Sequence, residues 1–193
     1  ISQMISVNLK TNQELISVSD IHEHTDQFFE LLDRHKPSND LIYVFLGDLK
    51  DKGHGEDAFL KIATKVKDLV NEGQAFFVKG NHELKAIKKN RKNMDRNSIY
   101  HWIDLQPIAI SFLYPNQTRY TCVHAGITPK MTWDTISHDL NVCYTRVLDK
   151  NGNHVHMIRN NVTETWEPAI KDVKEWHDVY DGRFGYVISG HNC

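Results

Sequence analysis

The sequence predicts an α/β fold with mixed sheets, and three observations carry that prediction. Leu41-Ile-Tyr-Val-Phe-Leu46 is a continuous apolar run that ends at Gly47-Asp48, as expected of a strand buried on both faces of a helix-covered sheet. Around it, strand-like runs alternate with helix-like periodicity, which makes an N-terminal βαβαβ unit with a parallel sheet and right-handed crossovers. The chain has 193 residues, 40% hydrophobic and 25% charged, enough for one domain with a real core and too few for two. A single domain over residues 1–193 is therefore expected.

In order, Met4–Leu9 and Leu15–Ser19 alternate apolar and polar residues and read as a hairpin or as two short strands. The second ends at Asp20-Ile-His22-Glu-His24. Thr25 is a candidate N-cap for a helix carrying Phe28, Leu31, Leu32 and His35, and Pro37-Ser-Asn-Asp40 stops it before the central strand. Phe59, Ile62, Val66, Leu69 and Val70 mark an amphipathic helix closed by Asn71-Glu-Gly73, and Gln74–Val78 is the next strand, delivering Lys79-Gly-Asn-His-Glu83. Residues 85–96 hold six basic groups against one acid, either a solvated face or a rim turned toward phosphate. Ile108–Leu113 and Tyr120–His124 form an antiparallel pair around the Tyr114–Gln117 turn. Residues 132–148 are expected to be helical, 149–164 a surface excursion with a hairpin or loop, Trp166–Val179 a helix, and Tyr186–Ser189 a strand delivering Gly190-His191.

A net charge of −2 gives no general attraction to nucleic acid or anionic lipid, and no apolar stretch approaches the roughly 20 residues that span a bilayer. The N-terminus lacks the basic and apolar regions of a signal peptide. Three cysteines, Cys122, Cys143 and Cys193, without CxxC spacing suggest neither a disulfide framework nor a zinc knuckle, and a cytoplasmic setting is expected. Because the chain begins with Ile1, residues are expected to precede it.

The twelve histidines become informative by position. Strand after strand ends at a potential metal ligand: Asp20 and His22, Asp48, Asn81 and His82, His124, His191. Each alone reads most simply as a turn residue or a hydrogen-bonded surface group. Together on one rim they would repel or sit unsatisfied without a cation. Carboxylate, imidazole and amide ligands suit ions of the Mn, Fe or Zn class. Asp48 is the best bridge between two ions, because its carboxylate can give an oxygen to each; ions about 3.5–4 Å apart activate water and clamp a phosphoryl group.

Ser19-Asp-x-His22, Gly47-Asp48-x-x-Asp51-Lys52-Gly53, Gly80-Asn-His-Glu83, Val123-His124-Ala-Gly126 and Ser189-Gly-His191 resemble the ordered signature of calcineurin-like metallophosphoesterases. The likeness is strongest to the phosphoprotein-phosphatase branch, with bacteriophage and bacterial Ser/Thr phosphatases. Residues 144–191 are more distantly similar to bacterial bis(5′-nucleosyl)-tetraphosphatases. The resemblance implies mixed β-sheets packed as a sandwich and flanked by helices. It implies that Asp20, His22 and Asp48 hold one divalent metal and that Asp48, Asn81, His124 and His191 hold the other, with manganese first and iron or zinc as alternatives. A water between the metals would attack phosphorus in line. His82, oriented by Asp51, would protonate the leaving oxygen, and Lys52 and Arg146 would bind the phosphoryl oxygens.

Three departures accompany the resemblance. Lys52 stands where the family has Arg, replacing a bidentate fork with a point charge. Glu23 stands where the family has Gly, which brings an acidic side chain beside the site. Cys193 falls where broader phosphoesterases carry a second His, as a thiolate ligand or as an ordinary residue near a truncated end.

The implied reaction is two-metal hydrolysis of phosphate esters, with phosphorylated protein as the first substrate reading and a dinucleoside polyphosphate as the alternative. An inactive scaffold on the same fold is disfavoured by the complete ligand set, and a nuclease by the neutral charge and the lack of aromatics in the basic run. No membrane and no stable nucleic-acid partner is expected.

Overall fold

A computed structural model describes residues 4–191. The elements in chain order are β1 (Ile5–Asn8), β2 (Glu14–Val18), α1 (Thr25–Arg34), β3 (Leu41–Phe45), α2 (Glu56–Asn71), β4 (Ala75–Phe77), α3 (Asn81–Asn90), α4 (Ile99–Asp104), β5 (Ala109–Leu113), β6 (Arg119–Val123), β7 (Val147–Leu148), β8 (Met157–Arg159), β9 (Trp166–Pro168), β10 (Lys174–Glu175) and β11 (Tyr186–Ile188). β2, β3 and β4 form an all-parallel sheet, and β1, β5, β6 and β11 form a mixed one in that order.

The apolar run in β3 explains how the two sheets pack. Side chains alternate across a strand. Ile42, Val44 and Leu46 meet Leu9, Val78, Ile110, Phe112 and Cys122 between the sheets. Tyr43 and Phe45 face the other way, into Phe28 and Leu32 of α1 and Phe59, Ile62, Ala63, Val66 and Leu69 of α2. Burial of each such side chain contributes about 1.5–3 kcal/mol, so β3 is fixed from both sides. The sandwich flanked by helices is what the sequence predicted.

One local alternative is decided and two local expectations are corrected. β1 and β2 are two separate short strands and not a hairpin: β1 pairs in parallel with β5 and β2 in parallel with β3, so each joins a different sheet. Residues 132–148 are not an α-helix; a 3-10 turn at Leu140–Cys143 leads to β7, which pairs antiparallel with β10. Trp166–Val179 is not a helix either. The stretch divides into β9, which pairs with β8, β10, which pairs with β7, and a 3-10 turn at Trp176–Asp178 that buries Trp176.

Cys122 and Cys143 are buried free thiols, and burial pushes the Cys122 thiol up to about 12. Cys193 lies outside the described residues. Among the described residues, no helix is long and apolar enough to cross a membrane.

Candidate active site

Parallel pairing brings the motifs together. β2, β3 and β4 run the same way, so their C-terminal ends share one edge of the sheet, where open α/β sheets keep their sites. Asp20 and His22 follow β2, Asp48 follows β3, and Asn81 and His82 open α3 after β4. β6 and β11 are also parallel, and their ends deliver His124 and His191 to the same rim. The loops after β2 and β3 are tied by backbone bonds from Asp20 N to Gly47 O at 3.2 Å, His22 N to Asp48 O at 2.9 Å and Glu23 N to Leu49 O at 2.9 Å.

The rim is strained backbone. Asp20, His22, Glu23, Asp48, Asp51, Lys52 and His191 all have positive φ, a conformation costing on the order of 1–3 kcal/mol each for a non-glycine residue. Gly47 shares it at φ +84, and a Cβ there would lie 2.3 Å from the Gly80 amide nitrogen. At Gly80 the reason is proximity: a Cβ would lie 2.4 Å from Asp48 Oδ1. The β3 and β4 turns therefore approach closely only with glycine at both places.

The imidazole contacts fix their tautomers. His22 Nδ1 lies 3.0 Å from the Lys50 carbonyl, His124 Nδ1 on the Leu46 carbonyl, and His82 Nδ1 2.8 Å from Asp51 Oδ2. Those oxygens only accept, so each Nδ1 carries its proton, and at His22 and His124 this leaves the Nε2 lone pair turned inward. His124 Nε2 stands 3.0 Å from Asn81 Oδ1, 3.1 Å from His191 Nδ1 and 3.3 Å from Asp48 Oδ2. His22 Nε2 is 3.5 Å from Asp20 Oδ1 and 3.8 Å from Asp48 Oδ2, and His82 Nε2 is 3.9 Å from Asp48 Oδ2. Two clusters result, His22–Asp48–His82 and Asp48–His124–His191, each with ligand atoms within 4.8 Å, and Asp48 belongs to both.

Lone pairs converging on buried Asp48 and His124 repel unless protons or cations lie between them. Burial lowers the pKa of His124 and of His22, but their carboxylate neighbours, chiefly Asp48 and Asp20 respectively, outweigh it and hold both pKa values above the usual imidazole range. A divalent ion would take the place of those protons. His191 is pushed down to about 3 by burial, by His124 and by Arg146, so it is neutral and ready to donate a lone pair. The donor set fits two divalent cations sharing Asp48.

Two buried glutamates hold the frame. Glu83 accepts the amides of Asp48 and Leu49, each at 2.7 Å, and of Gly80 at 2.8 Å, joining the β3 and β4 turns. Replacing it with Gln turns an NH₂ toward one of those donors. Glu83→Gln should cost about 1.5–3 kcal/mol of stability, the range for a lost hydrogen bond to a charged group, read as a lower urea midpoint. Glu23 stands beside the site, as the sequence suggested, but does not line the cleft. It is buried and accepts the amides of Asp51 at 2.9 Å, His54 at 2.9 Å and Gly55 at 2.8 Å, anchoring the loop that carries Asp51 and Lys52. Burial raises its pKa, but these amides outweigh burial and hold it below the usual carboxylate value. Its contribution is therefore present above the ordinary carboxylate pKa and lost as pH falls through that value toward the lower folded one. Amide exchange protection at Asp51, His54 and Gly55 should fall over that acidic window in the wild type and show no such step in Glu23→Gln.

A cleft of about 590 Å³ opens over the clusters, lined by Asp20, His22, Asp48, Lys52, Asn81, His82, Arg146 and His191 among the sequence-predicted residues. His124 lies buried beneath it, and Asp51 stands behind His82. Burial raises the Asp51 pKa, but His82 outweighs it and keeps the carboxyl low and ionised. Arg146 donates to the His191 carbonyl at 2.9 Å, while exposed Lys52 makes no hydrogen bond or ion pair among the described residues and lines the cleft. From the basic run, Lys85 and Lys89 line a neighbouring hollow with Lys50 and Lys52, and Lys85 lies 4.0 Å from Asp51. Sequence reasoning gave no role to Glu83, and it missed Tyr144, His154, Arg159 and Trp166 on the far wall of the cleft.

The family model described as calcineurin-like phosphoesterase matches residues 15–193. A symmetrical bis(5′-nucleosyl)-tetraphosphatase of Delftia acidovorans (strain DSM 14801 / SPH-1) is 23% identical over 175 residues, covering 81% of this chain; the chain spans 60% of that relative's length. A solved structure assigned as a diadenosine tetraphosphatase superposes with a TM-score of 0.67 at 21% identity, covering 98% of this chain and 80% of its own. A protein serine/threonine phosphatase from Saccharomyces cerevisiae gives 0.54 at 20% identity, covering 70% and 46%. At these identities the solved structures establish a shared fold.

Proposed function

The chain belongs to the calcineurin-like phosphoesterases, metal-dependent hydrolases of phosphate esters, and from that premise we propose that it cleaves nucleoside polyphosphates, dinucleoside tetraphosphates foremost. The observation that carries this reading is the cleft itself: its 590 Å³ admit more than one phosphate, and Lys52, Arg146 and Arg159 all line it. A phosphoserine peptide brings a single phosphate and leaves the third cation unused. For that reason we put the dinucleotide ahead of the phosphoprotein reading that the sequence motifs put first. The similarity to a symmetrical tetraphosphatase over 81% of the chain supports it.

In this proposal Asp20, His22 and Asp48 hold one ion and Asp48, Asn81, His124 and His191 the other, with manganese preferred over iron or zinc. The bound ions supply Lewis-acid activation of water and neutralise charge on the phosphoryl group. His82 presents Nε2 to the leaving oxygen and hands it a proton, while Asp51 holds Nδ1 and fixes the ring. Lys52 and Arg146 orient the phosphoryl oxygens. Residues 1–193 act as one phosphoesterase domain, and the two buried free thiols support a reducing, cytoplasmic setting.

With Mn²⁺ present, incubation with diadenosine tetraphosphate should yield nucleotide products. Turnover of a phosphoserine peptide with none of the dinucleotide would overturn the reading.

A further inference from the structure

The assigned chemistry leaves one wall of the cleft unused. β8 and β9 pair antiparallel with Arg159 directly opposite Trp166 and Met157 opposite Pro168. Those four share one face of the hairpin, and Ile158 and Glu167 share the other. The first face supplies Met157, Arg159 and Trp166 to the cleft, beside Tyr144 and His154, while Ile158 turns to solvent.

Each of these side chains is left without an internal task. Trp166 is 56% exposed despite its large apolar surface, and Tyr144 is 37% exposed. Aromatic faces left open along a cation-lined cleft are surfaces on which a planar ring can stack. The Arg159 guanidinium has no ion-pair or hydrogen-bond partner among the described residues, so its charge is available to an anion. Both ring nitrogens of His154, and Nε of Arg146, are shielded from solvent with no hydrogen-bond partner. A buried polar atom without a partner is costly unless something arrives to satisfy it. Burial and nearby His156 hold the His154 pKa below the usual range, which leaves a neutral ring with one donor and one acceptor to offer.

We propose that this wall is a nucleoside subsite: a base stacks on Trp166 beside Tyr144, Arg159 meets the phosphate next to the one cleaved, and His154 hydrogen-bonds the nucleoside. The proposal rests on the polyphosphate reading and deepens it. The hairpin would make the site prefer phosphates that carry a nucleoside over the bare phosphate chain.

The test compares, by calorimetry on the Mn²⁺-loaded protein, α,β-methylene-ADP with methylenediphosphonate, whose bridges resist cleavage. The wild type should bind the nucleotide about tenfold or more tighter than the diphosphonate, the scale of one base stacked on an aromatic side chain. Trp166→Ala should remove that advantage while diphosphonate affinity moves by less than about twofold, and Trp166→Phe should keep most of it. Arg159→Gln should weaken the nucleotide more than the diphosphonate. Equal wild-type affinity for the two ligands, or an advantage that survives in Trp166→Ala, would overturn the subsite. Dinucleotide turnover plays no part in this readout. An intact nucleotide advantage without dinucleotide cleavage rejects the hydrolase reading alone, and cleavage without the advantage rejects the subsite alone.

Discussion

Asp48→Asn is expected to lower kcat/KM for any phosphate ester by about 10³-fold or more, because a dinuclear site supplies several kcal/mol of charge stabilisation. Asn nearly matches Asp in shape and can still accept the His82 amide at 3.1 Å, so the fold should survive. What disappears is the anionic oxygen pair placed between His22 and His82 on one side and His124 and His191 on the other. Asp48 is 2% exposed, and no second carboxylate among the described residues belongs to both clusters. Metal analysis should show loss at both positions together. Unchanged hydrolysis in Asp48→Asn would sink the assignment of the whole site.

His82→Ala should separate substrates by their leaving group. General acid catalysis contributes about 10²–10⁴-fold where the departing oxygen is strongly basic. Loss of His82 should therefore slow a phosphoserine peptide or another alkyl phosphate by that factor. It should slow p-nitrophenyl phosphate or a phosphoanhydride much less, since their leaving oxygens need little proton assistance. Asp51→Asn should reproduce the pattern in milder form, because it lets the ring rotate while leaving the imidazole in place. Equal losses for all leaving groups would mean that His82 binds substrate or metal and does not transfer a proton.

The site was legible in the sequence for a physical reason. Each predicted ligand sits where an apolar strand ends, and parallel pairing of β2, β3 and β4 carries those ends to one edge without any further information. β3 itself could be read because both of its faces are buried and its apolar run is unbroken. What could not be read depended on distant partners. The alternation in β1 and β2 identified strands, but β1 pairs with residues more than 100 positions away, and nothing local separates that from a hairpin. The C-terminal third is built from strands of two or three residues and 3-10 turns, too short for any period to emerge. Trp166 and Arg159 reach the cleft through the register of one small hairpin, and alternation over three residues carries no such signal. Glu23 was placed beside the site by its motif. Its role in holding three amides of the 51–55 loop follows only from the loop's path back over it.

The central claim is that two cations sharing Asp48 neutralise the converging lone pairs of His22, His124 and His191. Metal counting on protein equilibrated with Mn²⁺ and then freed of excess ion tests it most directly. The account predicts two ions per chain in the wild type, with chelation lowering thermal stability and abolishing hydrolysis together. A count of one or none, or full hydrolysis by the chelated protein, would contradict it.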